Sequence, residues 1–413
     1  LKGHRCLYIS FQEDKEKLFI NMKSVGIDFE GIEREGLMRF LRMPVVLSVD
    51  DVVEQVSKIL AEFAPAVVIV DSINALLMSV PDEVRRAWLQ NYFYELAKQI
   101  DGVVVLVAEV PWGAEQLSLG SIEFVADAIA ILKHRIEDGK LVRVMEIRKM
   151  RGVPITIAEI PFAIIPGSGL KIYTPPILEE IPAEGDAIKS PCNMLEKALG
   201  RISRGHVIYI SYQASARPPE AIFIPLAYAL TNKARVLFVS FRLSPKTMMS
   251  SAIRTLAEVG ADPKTISAFL EKNTIFKSFN PFALSSTELT AQLIELVNSF
   301  SPDIAVLHAF DIFALAHNSR SFPITYNVVN YIKSKNISTF ILAIRMNSDI
   351  DRMFVRLSDA IMRFRYSYIN GRAVKKALLW RREREPCIVS EDELNRCKQE
   401  VLELLKSSIQ QTL

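Results

Sequence analysis

The stretch Phe63-Ala-Pro-Ala-Val-Val-Ile-Val-Asp71-Ser72 decides the fold of this chain. Residues 66–70 form an unbroken apolar run rich in β-branched side chains, which predicts a short strand buried on both faces. Such strands are typical of parallel sheets in α/β folds, and the carboxyl ends of the strands form the edge where ligands bind. Asp71 therefore either helps to hold Mg²⁺ beside a nucleoside triphosphate or only caps the helix that begins near Ser72.

Length and composition fit a protein of two domains. The chain has 413 residues, of which 50% are hydrophobic, so each domain can bury a sizeable core. The formal net charge of +3 is too small to indicate nucleic acid or an anionic membrane as a partner. No signal peptide or membrane-length apolar run is visible, and we expect a cytoplasmic protein. The four cysteines show no disulfide or metal spacing, which suits a reducing compartment.

Strands and helices alternate through the first half of the chain, which predicts a parallel sheet covered by helices on both faces. A hairpin with its turn at Glu137-Asp-Gly139 is predicted to follow them. The predicted strands are 6–11, 37–41, 66–71 and 103–108, the predicted helices are 14–25, 52–63 and 83–100, and the predicted hairpin strands are 124–132 and 141–150.

The second half of the chain repeats the first in the same order, which predicts a duplication. The strand at 236–241 matches the strand at 6–11, and the strand that ends at His308 matches the one that ends at Asp71. We therefore predict a mostly parallel, helix-flanked α/β domain at 1–180, a second one at 187–386 and a C-terminal helix at 387–413. The proline-rich, acidic stretch between the first two is predicted to be a linker.

Several motifs of the first domain resemble those of RecA-superfamily ATPases of the KaiC-like type, and the resemblance extends over nearly the whole chain as two tandem RecA-like domains. These motifs are Ser10-Phe11-Gln12-Glu13, Val68-Ile-Val-Asp71-Ser72, Ala108-Glu109-Val110-Pro111, Phe124-Val-Ala-Asp127 and Lys149-Met-Arg151-Gly152.

The resemblance implies a role for four residues of the first domain. Glu13 would act on the water that attacks the γ-phosphate of ATP, and Asp71 would hold Mg²⁺ through water. Lys149 and Arg151 would reach across a subunit interface to the nucleotide of the neighbouring subunit. Such contacts imply a homo-oligomer, by family analogy a hexameric ring.

One motif of the family is missing from the first domain. The phosphate-binding loop Gly-x-x-x-x-Gly-Lys-Ser/Thr belongs one strand and one helix before Cys6, where the chain has too few residues to contain it. We expect the loop to lie upstream of residue 1, because Asp71, Glu13, Lys149 and Arg151 would have no evident use in a remnant. The alternative is a domain that binds no nucleotide.

The second domain departs from the family at each position of the site. Its loop reads Ser211-Tyr-Gln-Ala-Ser-Ala216-Arg217-Pro218, in which both glycines, the lysine and the hydroxyl residue of the motif are replaced. His308 stands where the first domain has Asp71. Arg242-Leu243 replaces the family's pair of glutamates, of which the first domain keeps the second as Glu13 and has Gln12 for the first. Arg381-Arg382-Glu383 replaces the late Lys-x-Arg, unless a shift aligns Arg382 and Arg384 instead. We therefore predict that the second domain does not hydrolyse ATP.

Two other functions are compatible with the sequence. If both domains are inactive, the protein is a scaffold or a signalling partner of other proteins, and the coding sequence upstream of Leu1 decides between this and the enzyme. A DNA-associated, recombinase-like role would use the basic residues at 133–135 with Arg143, and those at 381–384. Nucleic acid is an unlikely partner, because these patches are short and have no interleaved aromatic residues.

Overall fold

The structure is a computed structural model that describes residues 3–43, 49–78, 80, 82–110, 122–182, 185–214, 218–317, 321–369 and 371–410. The chain divides into two compact units. Unit 1 comprises Leu1–His134 and Arg143–Ile172, and unit 2 comprises Arg135–Val142 and Tyr173–Leu413.

Unit 1 begins with the predicted alternation of strands and helices. Its first sheet is parallel and has the order β2-β1-β3-β4, and a second sheet has the order β5-β6-β7-β8. The elements are β1 Cys6–Ser10, α1 Lys15–Ser24, α2 Phe29–Arg34, β2 Met38–Arg42, α3 Val49–Phe63, β3 Val67–Asp71, α4 Ile73–Met78, α5 Glu83–Gln99, β4 Val103–Val107, α6 Ile122–Val125, β5 Ala128–Glu137, β6 Lys140–Met150, β7 Glu159–Ile165 and β8 Gly169–Ile172.

The predicted hairpin has its turn where expected, but its first strand starts later than predicted. Residues 122–125 form a helical turn, so the strand begins at Ala128 and not at Phe124. The predicted C-terminal helix is present as Glu391–Gln410.

Unit 2 contains one sheet of eight strands in the order β13-β12-β14-β15-β11-β16-β17-β18. The segment before it includes a 3-10 helix at Leu178–Glu180. The elements are β9 Ala187–Ile188, α7 Asn193–Leu199, β10 Ile202–Ser203, β11 Val207–Tyr212, α8 Glu220–Thr231, β12 Val236–Ser240, α9 Pro245–Ala257, α10 Pro263–Asn273, β13 Thr274–Ser278, α11 Ser286–Phe300, β14 Ile304–His308, α12 Phe310–Leu315, α13 Ser321–Ser334, β15 Ser338–Ile344, α14 Ser348–Leu357, β16 Ala360–Ile369, β17 Arg372–Arg381, β18 Cys387–Val389 and α15 Glu391–Gln410.

Helices cover both faces of the eight-stranded sheet. Side chains of α7, α8, α9, α10 and α15 share one apolar core with the sheet. Side chains of α11, α12, α13 and α14 share the core on the opposite face. The strand β14 is accordingly buried along its whole length, as expected of a central strand in a parallel sheet covered on both sides.

The two units share strand order and register. The order β2-β1-β3-β4 in unit 1 matches β13-β12-β14-β15 in unit 2. Ser10 pairs with Asp71 across β1 and β3, and Ser240 pairs with His308 across β12 and β14. The structure thus gives Asp71 and His308 equivalent positions, as the sequence repeat predicts.

The prediction that β3 and β4 are buried on both faces is wrong for unit 1. On β3, Val68 and Val70 are buried, whereas Val67 and Ile69 are only half-buried. On β4, Val103, Val105 and Val107 are 57%, 41% and 38% exposed. The physical reason is the layer of helices on this face of the sheet. In unit 2 the matching apolar residues share one core with α8 and α9, whereas the described part of unit 1 has only α1 and α2 on this side.

The C-terminal helix α15 is anchored to the start of unit 2. A disulfide joins Cys192 to Cys397, with their Cα atoms 5.2 Å apart, and the backbone N–H of Asn193 donates to Oε2 of Glu400 at 2.8 Å. The expectation that the cysteines form no disulfide is therefore wrong, because folding brings together two cysteines 205 positions apart. Cys6 and Cys387 are free.

None of the described helices combines the length and the apolar character that crossing a membrane requires.

Candidate functional site

The carboxylate of Asp71 lies at the carboxyl end of β3 and is held by a tyrosine. The hydroxyl of Tyr8, on the neighbouring strand β1, donates to Oδ2 of Asp71. Burial raises the pKa of Tyr8, and the hydrogen bond to Asp71 raises it further. The tyrosine therefore remains a hydrogen-bond donor to the carboxylate at neutral pH.

Glu13 follows β1 and is brought to the same edge of the sheet as Asp71. The hydroxyl of Ser10 accepts a hydrogen bond from the backbone N–H of Glu13 at 3.0 Å, which fixes the turn after the strand. The backbone N–H of Phe11 donates to the carbonyl oxygen of Asp71 at 3.0 Å, so the turn that carries Glu13 leaves the sheet beside Asp71. The structure thus assembles two of the predicted site residues.

Asn74 completes this edge of the sheet, and sequence reasoning missed it. Its side-chain amide donates to the carbonyl oxygen of Glu109 at 3.1 Å and accepts from the N–H of Glu109 at 2.8 Å. The segment after β4 is thereby tied to the start of α4. In unit 2, Asp311 makes the corresponding contact by accepting from the N–H of Ile344 at 3.3 Å.

The residues at this edge suit Mg²⁺ bound together with a phosphate ligand. Mg²⁺ keeps several waters and is usually bound through one or two carboxylates plus substrate phosphates. Asp71 supplies one carboxylate, and the neighbouring Oγ of Ser72 is buried with no hydrogen-bond partner among the described residues. The described residues form no cluster of three or more side chains that could hold a metal ion by themselves. One carboxylate and one hydroxyl therefore suit a cation whose remaining ligands are water and the phosphate groups of a bound nucleotide.

Lys149 and Arg151 lie at and just after the end of β6, in the second sheet of unit 1. Lys149 Nζ donates to the carbonyl oxygen of Phe124 at 3.1 Å, and Arg151 Nη2 donates to the same oxygen at 2.6 Å. Arg151 also forms an ion pair with Asp127 at 3.1 Å. The two cations thus converge on one carbonyl oxygen at the end of α6.

The equivalent edge of unit 2 has an imidazole, that of His308, in place of the carboxylate of Asp71. His308 Nδ1 and the hydroxyl of Ser240 are 2.9 Å apart and buried. Burial lowers the pKa of His308 to about 4, so the imidazole is neutral at neutral pH. The Tyr8 position is occupied by Phe238, which carries no hydroxyl group.

The degenerate loop of unit 2 is described only at its ends. Ser211 is buried near the end of β11, Pro218 precedes α8, and Ala216 and Arg217 lie outside the described residues. The first residue of α8, Glu220, is 1% exposed. Its Oε1 pairs with the Nζ atoms of Lys375 at 2.9 Å and Lys398 at 2.6 Å.

The structure corrects the predicted alignment of the late basic motif. The backbone N–H of Arg151 donates to the carbonyl of Asp127 at 2.8 Å, and that of Arg382 donates to Asp359 at 3.2 Å. Arg382 Nη2 also donates to a carbonyl oxygen, that of Arg356, at 2.8 Å. Arg382 is therefore the equivalent of Arg151, and neither Glu383 nor Arg384 is.

The parallel, helix-flanked sheet of unit 1 and the carboxylate at the end of β3 agree with the resemblance of its motifs to those of RecA-superfamily ATPases. Residues 1–177 match the family model described as "ATPase: KaiC". This part of the chain is a KaiC-family ATPase domain.

Relatives of the chain include circadian clock oscillator proteins KaiC. The circadian clock oscillator protein KaiC of Picosynechococcus sp. is 28% identical over 153 residues, which are 37% of this chain and 30% of that protein. The KaiC proteins of Thermostichus vulcanus and Rippkaea orientalis are 28% identical over the same length, 30% and 29% of their own chains. The matched segment spans less than a third of these relatives.

Proposed function

We propose that this protein is an ATPase in which unit 1 binds and hydrolyses Mg²⁺–ATP and unit 2 is a pseudo-ATPase. Asp71 would hold Mg²⁺ through water, and Glu13 would orient or deprotonate the attacking water. The cation, when bound, would neutralise charge that develops on the phosphates. Tyr8 and Ser10 would keep the carboxylates of Asp71 and Glu13 at the same edge of the sheet, Tyr8 through its hydroxyl and Ser10 through the turn after β1.

The observation that carries the proposal is the uncovered face of β4. In unit 2, β11 lies between β15 and β16, and α8 after it shares one apolar core with Phe340 and Leu342, which match Val105 and Val107. Among the described residues of unit 1, no strand pairs with the outer edge of β4 or with that of β5. A strand, a phosphate-binding loop and a helix encoded upstream of residue 1 would fill this place.

The proposal extends to the assembly of the protein. Lys149 and Arg151 are adjacent and close to the exposed Phe124, so they could exchange their carbonyl partner for phosphate oxygens of a neighbouring subunit. That exchange would need a ring of subunits, which we propose to be a hexamer. Because His308 replaces Asp71 at the equivalent position of unit 2, turnover would be limited to one site per chain.

Two experiments test the proposed function. The coding sequence upstream of Leu1 should contain a Gly-Lys-Thr or Gly-Lys-Ser loop, and its absence would favour a scaffold that binds other proteins. ATP turnover by the complete polypeptide should fall at least about a hundredfold in Asp71→Ala and in Glu13→Gln. The matched control is His308→Asn in unit 2, which should keep its turnover. Undiminished turnover in both unit 1 variants would refute the assignment.

A further inference from the structure

The phenol ring of Tyr8 is held rigidly by other aromatic rings. It stacks on Phe40 with 5.8 Å between the ring centroids and contacts Phe29 at 6.0 Å. Leu18 and Met38 complete this small cluster. Since the ring is 8% exposed and packed on several sides, its hydroxyl is fixed at one point beside Asp71.

The equivalent position of unit 2 shows which part of Tyr8, the ring or the hydroxyl, accompanies the carboxylate. Phe238 pairs with Phe276 across β12 and β13, as Tyr8 pairs with Phe40 across β1 and β2. The ring contact is kept, with 5.5 Å between the centroids. Only the hydroxyl is absent, and it is absent in the unit that has His308 in place of the carboxylate. The ring thus belongs to the core, and the hydroxyl accompanies the carboxylate.

We propose that Tyr8 is a positioning residue for the site of unit 1. Its hydroxyl occupies Oδ2 of Asp71, fixes the plane of the carboxylate at the end of β3 and leaves Oδ1 for a ligand. The inference rests on the proposed function of unit 1 for its catalytic consequence, whereas the coupling between Tyr8 and Asp71 is independent of that function.

A double-mutant cycle on the complete polypeptide tests the coupling without any activity measurement. Tyr8→Phe should lower the unfolding midpoint of unit 1 by about 2–4 °C, because it removes a hydrogen bond to a charged group. In the Asp71→Ala background the same change should have no effect or raise the midpoint. Equal losses in both backgrounds would overturn the proposal. If Asp71→Ala does not fold, Asp71→Ser in the same cycle gives the same decision.

The catalytic consequence has its own readout in the complete polypeptide. Tyr8→Phe should raise the Mg²⁺ concentration for half-maximal ATP turnover about tenfold, and the KM for ATP at saturating Mg²⁺ should change less than about twofold. The matched control Phe238→Tyr should leave both values unchanged. A loss of turnover with unchanged Mg²⁺ dependence would reduce Tyr8 to a packing residue. If the wild type shows no turnover, the proposed function fails, and the cycle still decides the role of Tyr8.

Discussion

Asp71 and His308 occupy the same register position in two sheets of the same strand order. Around them the turns are alike, since Ser10 accepts from the N–H of Glu13 and Ser240 accepts from that of Leu243. The exchange of a carboxylate for a buried, neutral imidazole has therefore left the backbone in place while removing a charge from the sheet edge of unit 2.

The buried imidazole makes the stability of unit 2 depend on pH. Burial holds the pKa of His308 at about 4 in the folded state, against an ordinary value of 6.5. As pH falls, the unfolded chain binds a proton at His308 before the folded chain does. The contribution of the neutral imidazole to stability is therefore complete above pH 6.5 and is lost as pH falls from 6.5 towards 4. We expect His308 to account for a loss on the order of 3 kcal/mol, measured by denaturant unfolding across this range.

A second histidine contributes to the pH dependence in the same range. Burial also lowers the pKa of His317 to about 4. His308→Asn and His317→Asn should each remove part of the pH dependence, and the double variant should remove nearly all of it. A wild-type unfolding free energy that stays constant from pH 6.5 to pH 4 would contradict the assignment.

The ion cluster at the start of α8 should contribute strongly to stability. Although burial tends to raise the pKa of Glu220, hydrogen bonds from Lys398 and Lys375 hold it below its ordinary value of 4.5. Glu220→Gln should cost roughly 3–5 kcal/mol, because it leaves the buried Lys375 without its partner. The measurement is denaturant unfolding at pH 7.

Acid should weaken the same cluster. A carboxylate with a depressed pKa stabilises the fold above its unfolded pKa, and this contribution is lost as pH falls below 4.5 through the folded pKa. Glu220→Gln should lack this acid-dependent loss. The exposed pair of Arg352 and Asp349 offers a control, since Arg352→Gln should change stability by less than about 1 kcal/mol.

Reduction of the disulfide should destabilise unit 2. Cys192 and Cys397 close a loop across 205 positions, so breaking the bond releases conformational entropy in the unfolded chain. We expect a loss of about 2–4 kcal/mol on adding a reductant or in Cys192→Ser. Cys387→Ser, which alters a free cysteine, should leave the stability of the oxidised protein unchanged. Equal stability of the oxidised and reduced protein would contradict the prediction.

Asn74 should protect the amide of Glu109 from hydrogen exchange. The side-chain oxygen of Asn74 accepts from this N–H at 2.8 Å, so Asn74→Ala should speed its exchange. Asn74→Asp keeps the acceptor, as Asp311 does in unit 2, and should keep most of the protection. Exchange at the wild-type rate in Asn74→Ala would show that the contact is not formed in solution.

The sequence predicts most elements of unit 1 and the equivalence of the two halves, because short apolar runs and recurring polar strand ends are local signals. It does not predict the exposure of β4, which depends on which elements cover the sheet. Tyr8 and Asn74 also escape sequence reasoning. An aromatic residue in a strand is usually a core residue, and an asparagine after a strand is usually a local cap.

The late basic motif shows how one residue changes an interpretation. β6 has 11 residues and β17 has 10, so an alignment that counts from the hairpin turns is wrong by one position at the end of the strand. Only the hydrogen bonds to the carbonyl groups of Asp127 and Asp359 reveal that Arg382 corresponds to Arg151. The disulfide is equally invisible to spacing rules, because its cysteines meet through the tertiary fold.

The central claim is that unit 1 has kept the nucleotide chemistry and unit 2 has lost it. The most direct measurement is a crystal structure of the complete polypeptide with Mg²⁺ and a non-hydrolysable ATP analogue. We predict one nucleotide per chain, with its phosphates beside Asp71 and with a parallel strand paired to the outer edge of β4. A nucleotide bound beside His308, or an outer edge of β4 that is left without a strand, would contradict the account.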